Sequence, residues 1–93
     1  MVRYDDILRR LREAPAAIRC SELTGYLEDL GFEVTSRASG NHKTAIHKEN
    51  EEVPPIPFDC GHGTDPEIKK CYIRRVIQVL SQNGKYWTER QEK

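Results

Sequence analysis

One predicted strand contains two histidines, whose imidazole side chains are of a type that can transfer protons in catalysis. His42 follows a Gly40-Asn41 turn and begins the strand, so a hairpin turn would hold its imidazole at the surface. Imidazole titrates near neutral pH and can act as a general acid or base. His47 has the opposite parity along the strand, so we expect it on the other face as a surface or hydrogen-bonded structural residue. The sequence leaves two interpretations of His42 open, an acid–base group or a solvated histidine.

A metal site is an alternative that the cysteines and the third histidine suggest. Cys60-Gly61-His62 and Cys71 would supply three ligands, with Asp59, Asp65 or His47 as the fourth. The spacing matches no standard pair of zinc ligands, and Cys71 fits the buried face of its helix. We therefore expect neither a metal ion nor another cofactor, and a small metal-binding protein is the third-ranked interpretation.

The three cysteines also bear on the cellular compartment. Because three is an odd number, they cannot form a complete disulfide framework, and Cys20, Cys60 and Cys71 are expected to be reduced thiols in a cytoplasmic protein. No apolar run approaches the roughly 18 residues that a membrane helix needs. The first residues, MVRYDDILRRLRE, contain no apolar signal-peptide core. We expect no association with a membrane.

Basic residues concentrate near the carboxyl end of a chain whose formal net charge is zero. Residues 1–67 carry 8 basic and 13 acidic side chains, whereas residues 68–93 carry 7 basic and 2 acidic. One side of a predicted helix there has four cations: Lys69, Lys70, Arg74 and Arg75. They would contact phosphates across a groove, or form an ordinary solvated helix face. No phosphate-binding glycine loop and no GxSxG motif occurs, so nucleotide-driven and serine-hydrolase chemistry have no support.

The elements that would position these residues are short, because 93 residues allow one domain with one modest core. The apolar spacing predicts helices over 4–13, 20–30 and 67–81, strands over 32–35 and 42–48, and a weak proline-containing strand over 53–58. This order predicts an α+β fold, a three-stranded antiparallel sheet with helices on one face and an extra N-terminal helix. We expect a helical extension over 1–17, a main domain over 18–82 and a polar tail over 83–93.

Two stretches of the sequence are SELTGYLEDLGFEV and RASGNHKTAIH. Together they resemble HicA-type toxins, the small ribonucleases of bacterial and archaeal type II toxin–antitoxin pairs. In that family an amphipathic helix ends in Gly-Phe, as at Gly31-Phe32, and a turn leads into an active histidine, as at Gly40-Asn41-His42. The segment EIKKCYIRRVIQVL is similar to the family's closing helix, so the resemblance covers about residues 18–82. The family's serine before the histidine is Asn41 here.

The resemblance implies a fold similar to a double-stranded RNA-binding domain and an activity, the cleavage of mRNA without a metal. It implies that His42 is the catalytic residue, which either takes the proton from a ribose 2′-OH or protonates the leaving 5′-oxygen. The residues expected to bind RNA are Arg37, Gly40, Asn41, Lys43, Lys69, Lys70, Arg74 and Arg75. The expected protein partner is a cognate antitoxin of the HicB type that covers His42. The alternative on the same fold, favoured by the acidic residues 1–67, is a non-catalytic RNA-binding or protein-interaction module.

Overall fold

A computed structural model describes residues 4–13, 17–36, 42–61 and 66–91, with side chains up to residue 88. Within them the elements are α1 (Tyr4–Glu13), α2 (Cys20–Asp29), β1 (Phe32–Ser36), β2 (His42–His47), β3 (Ile56–Asp59), α3 (Lys70–Gln82) and α4 (Gly84–Gln91). The predicted α+β class and three-stranded antiparallel sheet are confirmed. The predicted turn at 38–41 lies outside the described residues. None of the described helices is long and apolar enough to cross a membrane.

The sheet has the strand order β1-β2-β3, and its two faces differ. In the antiparallel register Val34 lies opposite Ala45, and Ala45 opposite Ile56, so these three residues share the inner face. The buried apolar residues of α2 and α3 join this face in one core. On the outer face the side chains of Glu33 and Ile46 are exposed. The outer face of the described strands is therefore largely open to solvent.

The N-terminal helix α1 packs into the same core as the rest of the chain. Its buried apolar stripe consists of Tyr4, Ile7, Leu8 and Leu11. The Tyr4 hydroxyl donates a hydrogen bond to the Leu80 carbonyl oxygen of α3 (2.7 Å). The Arg12 guanidinium donates another to the Ser81 hydroxyl (3.0 Å). Because a helix of 10 residues is marginal on its own, these contacts with α3 account for its formation.

The turn after α2 contains a glycine, Gly31, that two separate constraints require. Gly31 has a φ of +99°, which favours glycine. A Cβ at this position would lie 2.8 Å from His47 Nε2, so a larger residue would also collide with the imidazole. The Leu30 carbonyl oxygen accepts hydrogen bonds from His47 Nε2 (3.0 Å) and from Trp87 Nε1 (2.8 Å). The end of α2 is therefore fixed by side chains from β2 and α4.

The C-terminal part differs from the predicted polar tail, because residues 84–91 form α4. Trp87 is 4% exposed, and its ring stacks on that of Tyr4 with the ring centres 5.4 Å apart. The rings of Phe32, His47 and Tyr86 also contact it. A single buried aromatic ring in a polar stretch leaves no helical period in the sequence. The contacts of Trp87 with α1 and β1 therefore stabilise α4, a helix that the local sequence does not predict.

α3 begins at Lys70, three residues later than the apolar spacing predicts. Glu67 forms an isolated β-bridge with Arg19. The Ile68 backbone N–H donates a hydrogen bond to the Ile18 carbonyl oxygen (2.8 Å). The residues before α3 therefore pair with the segment before α2, which keeps them out of the helix.

The cysteines correct two expectations. Cys20 at the start of α2 and Cys60 directly after β3 form a disulfide, with their Cα atoms 5.3 Å apart. The expectation of three reduced thiols is wrong for these two, because the fold brings together residues 40 positions apart in the sequence. Cys71 is free and exposed, so it is not on the buried face of α3, where Ile73 and Val76 lie.

Candidate functional site

His42 and Asp59 face each other at one end of the open outer face of the sheet. They are cross-strand neighbours of β2 and β3, and His42 Nδ1 lies 3.7 Å from Asp59 Oδ2. The imidazole is 63% exposed and the carboxylate 30% exposed. The other carboxylate oxygen, Oδ1, accepts a hydrogen bond from the Gly61 backbone N–H (2.8 Å), which holds the carboxylate in place. Asp59 is the polar partner of the imidazole that the described residues provide, and it lies beside Nδ1.

A cleft of about 340 Å³ begins at this histidine. Its lining residues are His42, Lys43, Thr44, Pro57, Phe58 and Tyr72. The Lys43 ammonium donates a hydrogen bond to the Ser36 hydroxyl (2.8 Å). The cleft is thus lined by one acid–base group, two aromatic residues and the side chain of Lys43, whose ammonium lies toward β1.

A second cleft of about 510 Å³ continues along α3. Its lining residues are Pro57, Cys71, Tyr72, Arg74, Arg75 and Gln78. Because Pro57 and Tyr72 line both clefts, the two form one surface depression, which we call the β3–α3 groove. Arg74 and Arg75 are exposed, and neither forms an ion pair with a described carboxylate. The groove therefore has the His42 imidazole at one end and two guanidinium groups without a described carboxylate partner at the other.

The structure brings together some of the residues that the sequence predicted to bind RNA. Lys43, Arg74 and Arg75 line the β3–α3 groove with His42. Lys69 and Lys70 are exposed at the start of α3 but line neither cleft. The other three predicted residues, Arg37, Gly40 and Asn41, lie outside the described residues.

Sequence reasoning did not assign two residues of this site. Asp59 was considered only as a metal ligand, although a pairing of β2 with β3 that starts at His42 would have placed it opposite the imidazole. Tyr72 lies between Cys71 and the two arginines, and its position in the groove depends on the packing of α3 beside β3. The sequence indicates a role for Tyr72 only in that it is an aromatic residue between cations on the same helix.

The described residues contain no group of three histidine, cysteine or acidic side chains that could hold a metal ion. Cys60 is in the disulfide, and Cys71 lies in the groove. His62 and Asp65 lie outside the described residues. The candidate ligands of the alternative metal site are therefore not assembled within the part of the chain that the structure describes.

The resolved pKa shifts lie between the helices. The Arg10 guanidinium donates a hydrogen bond to Glu22 Oε2 (2.9 Å), and this bond lowers the pKa of Glu22. The Tyr26 hydroxyl donates to the same oxygen (2.5 Å), and burial raises the pKa of Tyr26. Burial also raises the pKa of Tyr4. None of these residues lines the β3–α3 groove. The shifts of Glu22 and Tyr26 arise where α1 meets α2, and that of Tyr4 arises where α1 packs on α3 and α4.

Comparisons with known proteins give no match. No protein-family model, no curated protein and no solved structure matches the chain.

Proposed function

We propose that the chain is a HicA-like endoribonuclease of a type II toxin–antitoxin system, which cleaves mRNA without a metal ion. The observation that carries the proposal is the exposed His42 imidazole, with Asp59 beside it, at the end of a groove lined by Arg74 and Arg75. The element order α2-β1-β2-β3-α3 supports a fold similar to a double-stranded RNA-binding domain. The Gly31-Phe32 and Gly40-Asn41-His42 motifs support the same family.

His42 acts as the general base in this proposal. Its Nε2 takes the proton of a ribose 2′-OH, and the 2′-oxygen attacks the adjacent phosphorus. The bond from phosphorus to the 5′-oxygen breaks, and the leaving oxygen receives a proton from solvent. The products are a 2′,3′-cyclic phosphate and a 5′-hydroxyl. The Asp59 carboxylate beside Nδ1 orients the ring and stabilises the imidazolium as it forms.

The cations of the groove stabilise the phosphate. The extra negative charge that develops on its oxygens is best stabilised by positioned donors. Lys43 lies in the same cleft as His42, whereas Arg74 and Arg75 line the continuation of the groove. Lys43 would stabilise the cleaved phosphate only if its ammonium left Ser36, and the arginines are the candidates for a neighbouring phosphate.

A protein partner that blocks this site is part of the proposal. The outer face carries an exposed apolar side chain, Ile46, which is 47% exposed, on the same side of β2 as His42. An antitoxin of the HicB type that packed on Ile46 would cover the imidazole as well. Its binding would keep the enzyme inactive.

The test compares wild-type protein with His42→Ala on a labelled single-stranded RNA in the presence of EDTA. Wild type should cleave and leave 2′,3′-cyclic phosphate ends. Loss of the imidazole should reduce the rate about 10²- to 10⁴-fold, the usual contribution of general acid–base catalysis. Thr35→Ala is the matched control, because Thr35 is exposed on β1 and should leave the rate unchanged.

Circular dichroism establishes that both variants fold. Equal cleavage by His42→Ala and wild type would exclude the proposed mechanism. RNA binding by wild type with no cleavage would instead favour the alternative, a binding module on the same fold.

A further inference from the structure

We propose that Tyr72 is a stacking surface for one unstacked base of the RNA, at the midpoint of the β3–α3 groove. The inference rests on the proposed function and adds a binding subsite to it. Tyr72 and Pro57 are the two residues that line both clefts. A nucleotide seated there would have His42 on one side and Arg74 and Arg75 on the other.

The surroundings of Tyr72 suit a fixed aromatic surface. The residue is part of α3, is half-buried and packs against the hydrophobic core, so the ring loses little freedom when a ligand binds. The exposed Pro57 of β3 lines both clefts together with Tyr72. An aromatic ring beside cations is the arrangement by which proteins bind single strands, because the base stacks while the backbone phosphates meet the cations.

The geometry favours a single strand over a duplex and over an acidic protein segment. In a duplex the bases stack on one another, and a protein ring reaches one only when it leaves the stack. An acidic peptide would use Arg74 and Arg75 but has no base for Tyr72. The base is therefore the ligand group that uses both halves of the groove.

The experiment measures binding rather than cleavage. The probe is a fluorescent 2′-O-methyl RNA oligonucleotide, which lacks the 2′-OH nucleophile, and its anisotropy is followed with wild type, Tyr72→Phe and Tyr72→Leu. Loss of one base stack weakens binding about 5- to 150-fold. We expect that loss for Tyr72→Leu, which keeps an apolar side chain against the core, and no loss for Tyr72→Phe.

A matched oligonucleotide of the same charge but without bases separates stacking from charge. Wild type should bind it more weakly than the normal probe, and Tyr72→Leu should bind it as wild type does. Equal binding of both probes by wild type overturns the inference without reference to any variant. So does equal binding of the normal probe by Tyr72→Leu and wild type, or a polyglutamate peptide that binds wild type as tightly as RNA.

The outcome is separable from that of the proposed function. If Tyr72→Leu loses base-dependent binding but no RNA is cleaved, the subsite stands and the ribonuclease proposal fails. If cleavage depends on His42 but Tyr72→Leu binds the probe as wild type does, the subsite fails and the ribonuclease proposal stands.

Discussion

At the scale of single residues, the two histidines of β2 differ because they lie on opposite faces of the sheet. His47 is buried, its Nε2 donates to the Leu30 carbonyl oxygen and its Nδ1 accepts from the Asn50 backbone N–H (3.0 Å). Both of its nitrogens are occupied, so it is a structural residue. His42 is five positions earlier, on the opposite face, and has Asp59 beside one nitrogen. The parity of the two residues was readable from the sequence, whereas the carboxylate opposite His42 required the strand register.

Asp59→Asn tests whether this carboxylate acts through His42. The amide oxygen can still accept the hydrogen bond of Gly61, so the local backbone should hold while the negative charge is lost. We expect kcat for RNA cleavage to fall by up to about 100-fold, because a small misplacement of a catalytic group is costly. KM should stay the same, since Asp59 lines neither cleft.

Glu33→Gln is the control for Asp59→Asn. Glu33 is a carboxylate on the same face of the sheet, and it pairs with Lys48 rather than with His42. Its kcat should match that of wild type. A higher KM with unchanged kcat for Asp59→Asn would contradict the positioning role, because it would place Asp59 in RNA binding.

At the scale of elements, α1 is held to α2 by hydrogen bonds to one partly buried carboxylate, that of Glu22. Glu22 Oε2 accepts hydrogen bonds from Arg10 of α1 and from Tyr26 of its own helix. The carboxylate side chain is 25% exposed, so part of the interaction is shielded from solvent. The sequence indicated α1 from its apolar stripe, but it did not indicate which residue of α2 the helix would meet.

Glu22 should make the stability of the protein depend on pH. Its pKa is lowered in the folded state by the hydrogen bond from Arg10, so the ionised carboxylate stabilises the fold. This contribution is fully present above the ordinary pKa of 4.5, declines as the pH falls below it, and is lost below the lowered value. Urea unfolding of wild type and Glu22→Gln at pH values from 7 to 3 measures it. The variant should be less stable at pH 7, and the difference should vanish at the acid end.

Glu28→Gln is the control for this measurement. Glu28 is an exposed carboxylate of α2 without an ion pair to a described side chain. Its substitution should leave the pH dependence unchanged. A Glu22→Gln protein whose stability follows the wild-type curve at every pH would show that the contact between α1 and α2 does not depend on the charge.

At the scale of the whole molecule, local patterns predicted the elements that bury a regular stripe. α1, α2, β1 and β2 have bounds within one residue of those expected from periodicity. The start of α3 and the existence of α4 were not predictable, because each depends on a partner far away in the sequence. Glu67 pairs with Arg19, and Trp87 packs on Tyr4 and Phe32.

The charge around His42 also depends on which parts of the chain pack together. By sequence, His42 lies in the acidic residues 1–67 and Arg74 and Arg75 in the basic residues 68–93. The packing of α3 beside β3 joins these two parts in one groove. The net charge of zero therefore does not describe the surface that an RNA would meet near His42.

The disulfide joins the start of α2 to the end of β3, and its removal is a test of the whole fold. It ties the start of α2 to the residue after Asp59 across 40 positions, so it restricts the unfolded chain considerably. Reduction should lower the free energy of unfolding by about 2–4 kcal/mol, measured by urea unfolding of wild type with and without dithiothreitol.

Cys20→Ser should lose a similar amount of stability and no longer respond to the reductant. Cys71→Ser should change stability by less than about 0.5 kcal/mol, because Cys71 is exposed and free. If wild type and Cys20→Ser unfold at the same urea concentration without reductant, the disulfide does not contribute to the fold, and Asp59 must be held beside His42 by the Gly61 hydrogen bond and the β2–β3 pairing alone.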